Sequence, residues 1–190
     1  MSDMKTQSGP SPSRRYLFLL RHAKSAWPPD VEDHDRPLAD RGLKAAPMIG
    51  AYMARERLFP DSVLVSTARR TQETWKLVAK ELPHPIPRQD VPELYEASTT
   101  RLVDILAAVD PNDRTVMMVG HNPGLQDFAN WLVGSGDAEM RKQISEKFPT
   151  GGLAVISFEA DGWADVSSGS GRLERFVTPR VLAAALSNHE

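Results

Sequence analysis

Three short segments carry side chains that could handle a phosphoryl group: Arg21-His22, Arg69-Arg70 and His121-Asn122. Each comes at or just after the end of an apolar run, "YLFLL", "SVLVS" and "TVMMVG". Arginine presents a planar fork of donors that matches phosphate oxygens. Imidazole can attack phosphorus or donate to it. A surface arginine closing a strand is ordinary, and so is a histidine satisfied within a core. Such residues at the ends of three successive apolar runs are a different matter. Two of the segments also open helices, whose free N–H groups and positive dipole end favour anions. Arg69-Arg70 at a helix start opposes that dipole, and a bound anion would offset the cost. One of the pair is therefore expected to face a ligand. Arg69 lies earlier on the turn, and Arg70 is expected to point to solvent.

Competing chemistries are weaker. "VEDHD" offers Glu32, Asp33, His34 and Asp35 as metal ligands, but the run is consecutive and leads into "RPL". It reads better as a charged loop, and no metal is assigned. "GSGDAE" and "SSGSGR" lack the lysine and the strand-to-helix context of a phosphate loop, so they read as turns. With no cysteine in the chain, disulfides and thiolate sites are excluded. A net charge of -2 argues against a general nucleic-acid binder. No segment is long and apolar enough to span a membrane, and the polar start lacks a signal-peptide core. A cytoplasmic address is the expectation.

The elements that must position these residues follow from periodicity. "YLFLL" (16–20), "SVLVS" (62–66) and "TVMMVG" (115–120) read as buried strands. Helices are expected over 40–58, 68–82, 98–110 and from His121 to Gly134, with a further one over 137–148. Asp40 and Asn122 are the expected N-caps of the first and fourth, with Gly134 as the stop. Pro47 conflicts with the first helix, which should start nearer Lys44 or kink. The four prolines of "LPHPIPRQDVP" predict an extended segment or loop. "GLAVISFE" and "GRLERFVTP" read as late strands. The 190 residues fit one domain over 15–179, with a disordered tail over 1–14 and a weakly helical tail over 180–190. Strand–helix alternation predicts an α/β domain with a mainly parallel sheet, whose ligand site lies beyond the carboxyl ends of the strands.

"LFLLRHAKSAW", "DHDRPLADRG", "VLVSTARRTQET" and "VMMVGHNPGL" occur in this order over roughly residues 15–160. Together they resemble the signature blocks of the histidine phosphatase superfamily, and most of all the small SixA-like phosphohistidine phosphatases. The resemblance implies a three-layer α/β/α sandwich of the phosphoglycerate mutase-like kind, with no metal or organic cofactor. It implies His22 as the nucleophile, Arg21 and Arg69 as phosphate clamps, and His121 completing the pocket as an imidazolium. Ser25 and Asn122 lie beside these and could assist. Larger members use a carboxylic acid to protonate the leaving group, and Glu93 and Glu96 fall in the corresponding neighbourhood.

The expected substrate is phosphohistidine on a protein such as a phosphotransfer domain, since no long insertion is present to cover the site. A small phosphorylated metabolite, with Glu93 as acid, is the alternative. A mutase would need a more closed site. A phosphate-binding protein without turnover is disfavoured by the intact set of Arg and His residues.

Overall fold

Leu17 to Leu20 alternate between two apolar clusters, and this alternation organises the molecule. In the computed structural model, which describes residues 13–188, Leu17 and Leu19 lie in one buried cluster and Phe18 and Leu20 in another. Successive side chains of a strand point to opposite faces, so a strand covered on both sides must be apolar throughout. That strand is β1 (Arg14–Arg21). The tail expected over 1–14 falls almost wholly outside the described residues, although Arg14 already belongs to β1.

The sheet has seven strands. β1 has β4 (Thr115–Gly120) on one side, followed outward by β2 (Ser62–Val65) and β3 (Arg88–Asp90), all parallel. On its other side lies β6 (Leu153–Glu159), antiparallel to β1, then β7 (Gly171–Val177) and β5 (Val133–Gly136). Only β6 runs against the rest. Its amino end therefore meets the carboxyl ends of β1 and β7, since Leu153 pairs with both Leu20 and Val177.

Helices cover both faces. α1 (Asp40–Arg55), α2 (Arg69–Ala79) and α6 (Pro179–Ser187) contribute Ile49, Met53, Trp75, Val78 and Leu182 to the cluster around Phe18. α3 (Thr99–Ala107), α4 (Gly124–Leu132) and α5 (Ala138–Glu146) contribute Leu102, Leu106, Phe128 and Ile144 to the cluster around Leu17. The architecture is the expected three-layer α/β/α sandwich.

Several local expectations are revised. α1 runs through Pro47 without a break. An interior proline costs about 3 kcal/mol. Burial of Ile49, Tyr52 and Met53 on the same helix, at about 1.5–3 kcal/mol for each large side chain, outweighs it. The cap is Ala39, so Asp40 is the first helical residue and still favours the positive helix end. α4 starts later than expected, with Pro123 at the cap position in place of Asn122, and the residue expected to stop it, Gly134, lies in β5. The proline-rich segment contains β3, a short exposed edge strand that its prolines flank but do not enter. β5 has the sequence VGSG and was hidden by its glycines, which weaken strand propensity.

Candidate active site

Arg21 is the last residue of β1, and His22 follows it. The antiparallel entry of β6 locks this junction. Arg21 N donates to Gly152 O at 3.1 Å, and Gly151 N reaches both Arg21 O and His22 O, at 3.1 and 2.9 Å. Gly151 has φ +72, a conformation that glycine adopts without steric cost. His22 N also donates to Gly120 O at 3.1 Å. The His22 backbone is thus held between neighbouring strands, and its ring is buried.

The imidazole of His22 has a defined tautomer. Its Nδ1 lies 2.7 Å from Ala23 O. A carbonyl only accepts, so Nδ1 carries the hydrogen and Nε2 keeps its lone pair. Burial, more than any other cause, pushes the His22 pKa down to about 4; the hydrogen bond to Ala23 opposes this, and the charges of Arg70, Arg21 and Arg36 reinforce it. At neutral pH this is a neutral imidazole with a free Nε2.

His121 follows β4, with its ring centroid 5.4 Å from that of His22. Its Nε2 lies 2.7 Å from Ser66 Oγ. Ser66 Oγ also accepts from Ala68 N at 3.4 Å, and as a hydroxyl it can either donate to Nε2 or accept from it. The other ring nitrogen, Nδ1, is buried with no partner among the described residues. Burial first, then His22 and Arg70, push the His121 pKa down to about 3. Burial between two arginines thus disfavours the charged form of His121 and works against the expected imidazolium.

The second arginine is Arg70, and the expectation for Arg69 is overturned. The Arg69 side chain is 57% exposed and bonds Glu73 at 2.8 Å one turn along α2. The Arg70 side chain is 8% exposed. Its Nη1 donates to Asp33 O at 2.7 Å and its Nη2 to Asp33 Oδ2 at 3.2 Å. The reason is helical phase. Arg70 shares a stripe with Thr74 and Val78, which are buried, whereas Arg69 shares one with Glu73 and Lys80. The signal was present in the periodicity of "ARRTQETWKLVAKEL".

Arg21 donates from Nη1 to Phe148 O at 2.9 Å. The Nε groups of Arg21 and Arg70 are both buried without partners. Arg21 is also held below its ordinary pKa, by burial and then by the charge of Arg70. Two guanidinium groups and two imidazoles thus converge with donor capacity left over, an arrangement that an oxyanion would satisfy.

The "VEDHD" run supports this cluster. Asp33 bonds Arg36 at 3.0 Å, Arg70 and the Tyr95 hydroxyl. Tyr95 first, then Arg36 and Arg70, hold its carboxyl well below the usual range, so it is ionised. His34 Nε2 lies 2.9 Å from Thr67 Oγ1. Among the described residues no group of three or more His, Asp or Glu is placed to hold a metal ion. Sequence reasoning missed these roles of Asp33, Ser66, Tyr95 and the Phe148 carbonyl, because each has at least one partner more than 30 residues away.

The remaining candidates separate. Asn122 donates from Nδ2 to Phe148 O at 2.9 Å, and its Oδ1 is buried without a partner beside His121. Ser25 is buried, and its Oγ accepts from Arg36 Nη2 at 2.6 Å, which leaves its hydroxyl hydrogen to donate. Glu93 sits exposed on the turn Pro92–Leu94, outside the cleft. Glu96 does line the cleft, a space of ≈ 490 Å³ that also takes in Asp33, Arg70, Tyr95, His121 and Asp127.

The geometry has its counterpart in known proteins. Residues 17–102 match the model of the histidine phosphatase superfamily (branch 1). An uncharacterized protein of Mycobacterium tuberculosis is 37% identical over 163 residues, covering 85% of this chain and 100% of the relative. A candidate phosphohistidine phosphatase SixA from Agrobacterium tumefaciens superposes with a TM-score of 0.74 at 31% identity, covering 87% of this chain and 98% of that one. The corresponding SixA from Nakamurella multipartitia gives 0.78 at 28% identity, covering 90% and 99%. The chain belongs to the histidine phosphatase superfamily. It is SixA-like, and it is a phosphatase, a hydrolase of phosphoric groups. Among the described residues of this histidine phosphatase, no helix is long and apolar enough to cross a membrane.

The depressed histidines set a stability window. An unfolded chain binds protons at His22 and His121 near pH 6.5, whereas the folded chain leaves them neutral down to about 4 and about 3. The unfolded state therefore binds more protons in this window, and stability falls as pH drops from 6.5 toward 4.5. The expected loss for His22 is on the order of 2 kcal/mol by pH 5. Urea unfolding at pH 7 and pH 5 measures it, and His22→Ala should reduce the difference by about half, since His121 contributes the rest. An equal slope in the variant would show that His22 titrates normally.

Proposed function

We propose that this histidine phosphatase hydrolyses phosphohistidine on a protein, through a phosphoenzyme formed at His22. Nε2 of His22 attacks phosphorus while the bond to the substrate imidazole breaks. The leaving imidazole departs with its ring nitrogen already protonated, so the enzyme need not supply a proton. Water then attacks phospho-His22 in line, releasing inorganic phosphate and restoring Nε2. Arg21, Arg70 and, with Ser66 donating to its Nε2, the Nδ1–H of His121 bind the equatorial oxygens, whose negative charge is dispersed in the transition state. Asn122 assists from beside His121. Asp33 is a positioning residue that holds Arg70.

The observation that carries this reading is the character of the cleft beside His121. Its carboxylates are Asp33, Glu96 and Asp127. Asp33 is held ionised by Tyr95, Arg36 and Arg70, so it cannot act as an acid at neutral pH. Such a wall favours the cationic ring of a protonated phosphoimidazole, which leaves as neutral imidazole, over an alkoxide that needs a proton delivered. The names of the SixA proteins above support the same substrate class.

A second reading, a small-molecule phosphomonoesterase, is favoured by one observation: Glu96 lines the cleft. A general acid contributes about 10²–10⁴ in rate. The test compares turnover of a phosphohistidine protein with a panel of sugar, nucleotide and aryl phosphates, using wild type, Glu93→Gln and Glu96→Gln. Phosphohistidine should be the best substrate, and both variants should retain most of the activity toward it. A high rate on an alkyl phosphate that collapses in Glu96→Gln would establish the second reading.

A further inference from the structure

A second groove adjoins the reaction centre on the opposite side of Arg21. It occupies ≈ 810 Å³ at the carboxyl ends of β1 and β7, walled by α1, α6 and the segment before β6. Its charged lining consists of Arg21, Lys24, Arg41, Lys44, Lys147 and Arg180, with no carboxylate. The whole chain has 25 acidic against 23 basic residues, so this is a strong local segregation. Elsewhere on the surface, cations such as Arg69, Arg172 and Arg175 are paired with glutamates. Among the described residues none of the six groove cations takes part in an ion pair within 4.0 Å.

The two spaces beside the phosphoryl site therefore have opposite polarity. The cleft on the β4 side holds Asp33, Glu96 and Asp127, and the groove on the β7 side holds only cations. The topology accounts for this. Inserting the antiparallel β6 between β1 and β7 places the chain before β6, with Lys147, next to the start of α6, with Arg180, and the first turns of α1. Five of the cations, all except Arg21, are on exposed residues. Exposed, hydrated Lys and Arg side chains on several elements do not form a dry pocket with fixed forks for one small anion. They create a broad positive potential, which steers and orients an acidic macromolecular surface.

We propose that this groove docks an acidic polypeptide segment flanking the phosphohistidine of the protein substrate. The proposal rests on the phosphohistidine reading above and names the partner's chemistry: carboxylates beside the phosphorylated residue on the side that faces α1 and α6. The imidazole occupies the carboxylate-lined cleft, the phosphoryl group lies between, and the acidic flank follows the groove.

Two synthetic peptides test it, each with one phosphohistidine, flanked by Glu in one and by Gln in the other. At low ionic strength wild type should show a kcat/KM about tenfold or more higher for the Glu-flanked peptide. The ratio should fall toward one in ~1 M salt, where screening acts within about 3 Å. The triple variant Arg41→Gln/Lys44→Gln/Arg180→Gln should bring the ratio to one at low salt. Turnover of both peptides by wild type without preference would overturn the docking role and leave the phosphohistidine reading standing. A preference that survives in the triple variant would also overturn it. If neither peptide is turned over while aryl phosphate is, the phosphohistidine reading fails and docking with it. A triple variant that selectively loses a bisphosphorylated sugar over its monophosphate would assign the groove to a small polyanion instead.

Discussion

His22→Ala should abolish turnover and with it any acid-labile phosphoenzyme. The expected loss is on the order of 10⁶-fold, the scale seen when a covalent nucleophile is removed from a site whose other parts remain. The structure makes this residue hard to replace. Its backbone is pinned by Gly120 O and Gly151 N, and its Nδ1–H is committed to Ala23 O, so only Nε2 is presented. Rapid quench with radiolabelled substrate, followed by separation under alkaline conditions that preserve phosphohistidine, reads both parts of the prediction. A variant that still hydrolyses substrate at the wild-type rate would remove His22 from the mechanism. The substitution also leaves Arg21 and Arg70 in place, so substrate affinity should persist while kcat vanishes.

Arg70→Ala should lower kcat/KM by about 10²–10³-fold or more, whereas Arg69→Ala should leave it within about twofold of wild type. The pair of substitutions separates two adjacent residues of one type. Arg70 is buried, carries an unpartnered Nε and lowers the pKa of both His22 and His121 through its charge. Its loss removes a donor and also leaves Asp33 without one of its cationic partners. Arg69 forms an exposed i,i+4 pair with Glu73, of a kind worth about 0.3–0.5 kcal/mol. Steady-state kinetics on a single substrate, with thermal melting to show that both variants are folded, decides between them. An inactive Arg69→Ala beside an active Arg70→Ala would mean that the helix is rotated in the working enzyme. Lysine at position 70 should restore only part of the activity, since a point charge cannot reproduce the guanidinium bonds to the Asp33 carbonyl and carboxylate together.

Much of this protein is legible in its sequence. The run "YLFLL" can only be a strand covered on both faces, and the two clusters that divide its side chains bear that out. Arg21, His22 and His121 could be placed at one sheet edge from the order of strands and helices alone, because parallel strands put their carboxyl ends together. The helix expected over 68–82 is equally clear and is found over Arg69–Ala79, yet distance along the turn favours Arg69 over Arg70. Phase would have chosen correctly, since the stripe of Trp75 and Val78 fixes which side of α2 is buried.

What the sequence by itself determined was the α/β architecture, the central strand and the chemical character of the site, because these follow from periodicities of two and 3.6 residues and from side-chain type. What only the tertiary structure decided was which groups complete the site and how charge is distributed around it. Asp33 reaches Arg70 and Tyr95, Ser66 bonds the His121 ring, and Phe148 O binds both Arg21 and Asn122. The reversed strand β6 brings Lys147 and Arg180 beside Arg21. These are contacts between residues far apart in the chain. No local pattern encodes them, because they depend on the order in which strands enter the sheet.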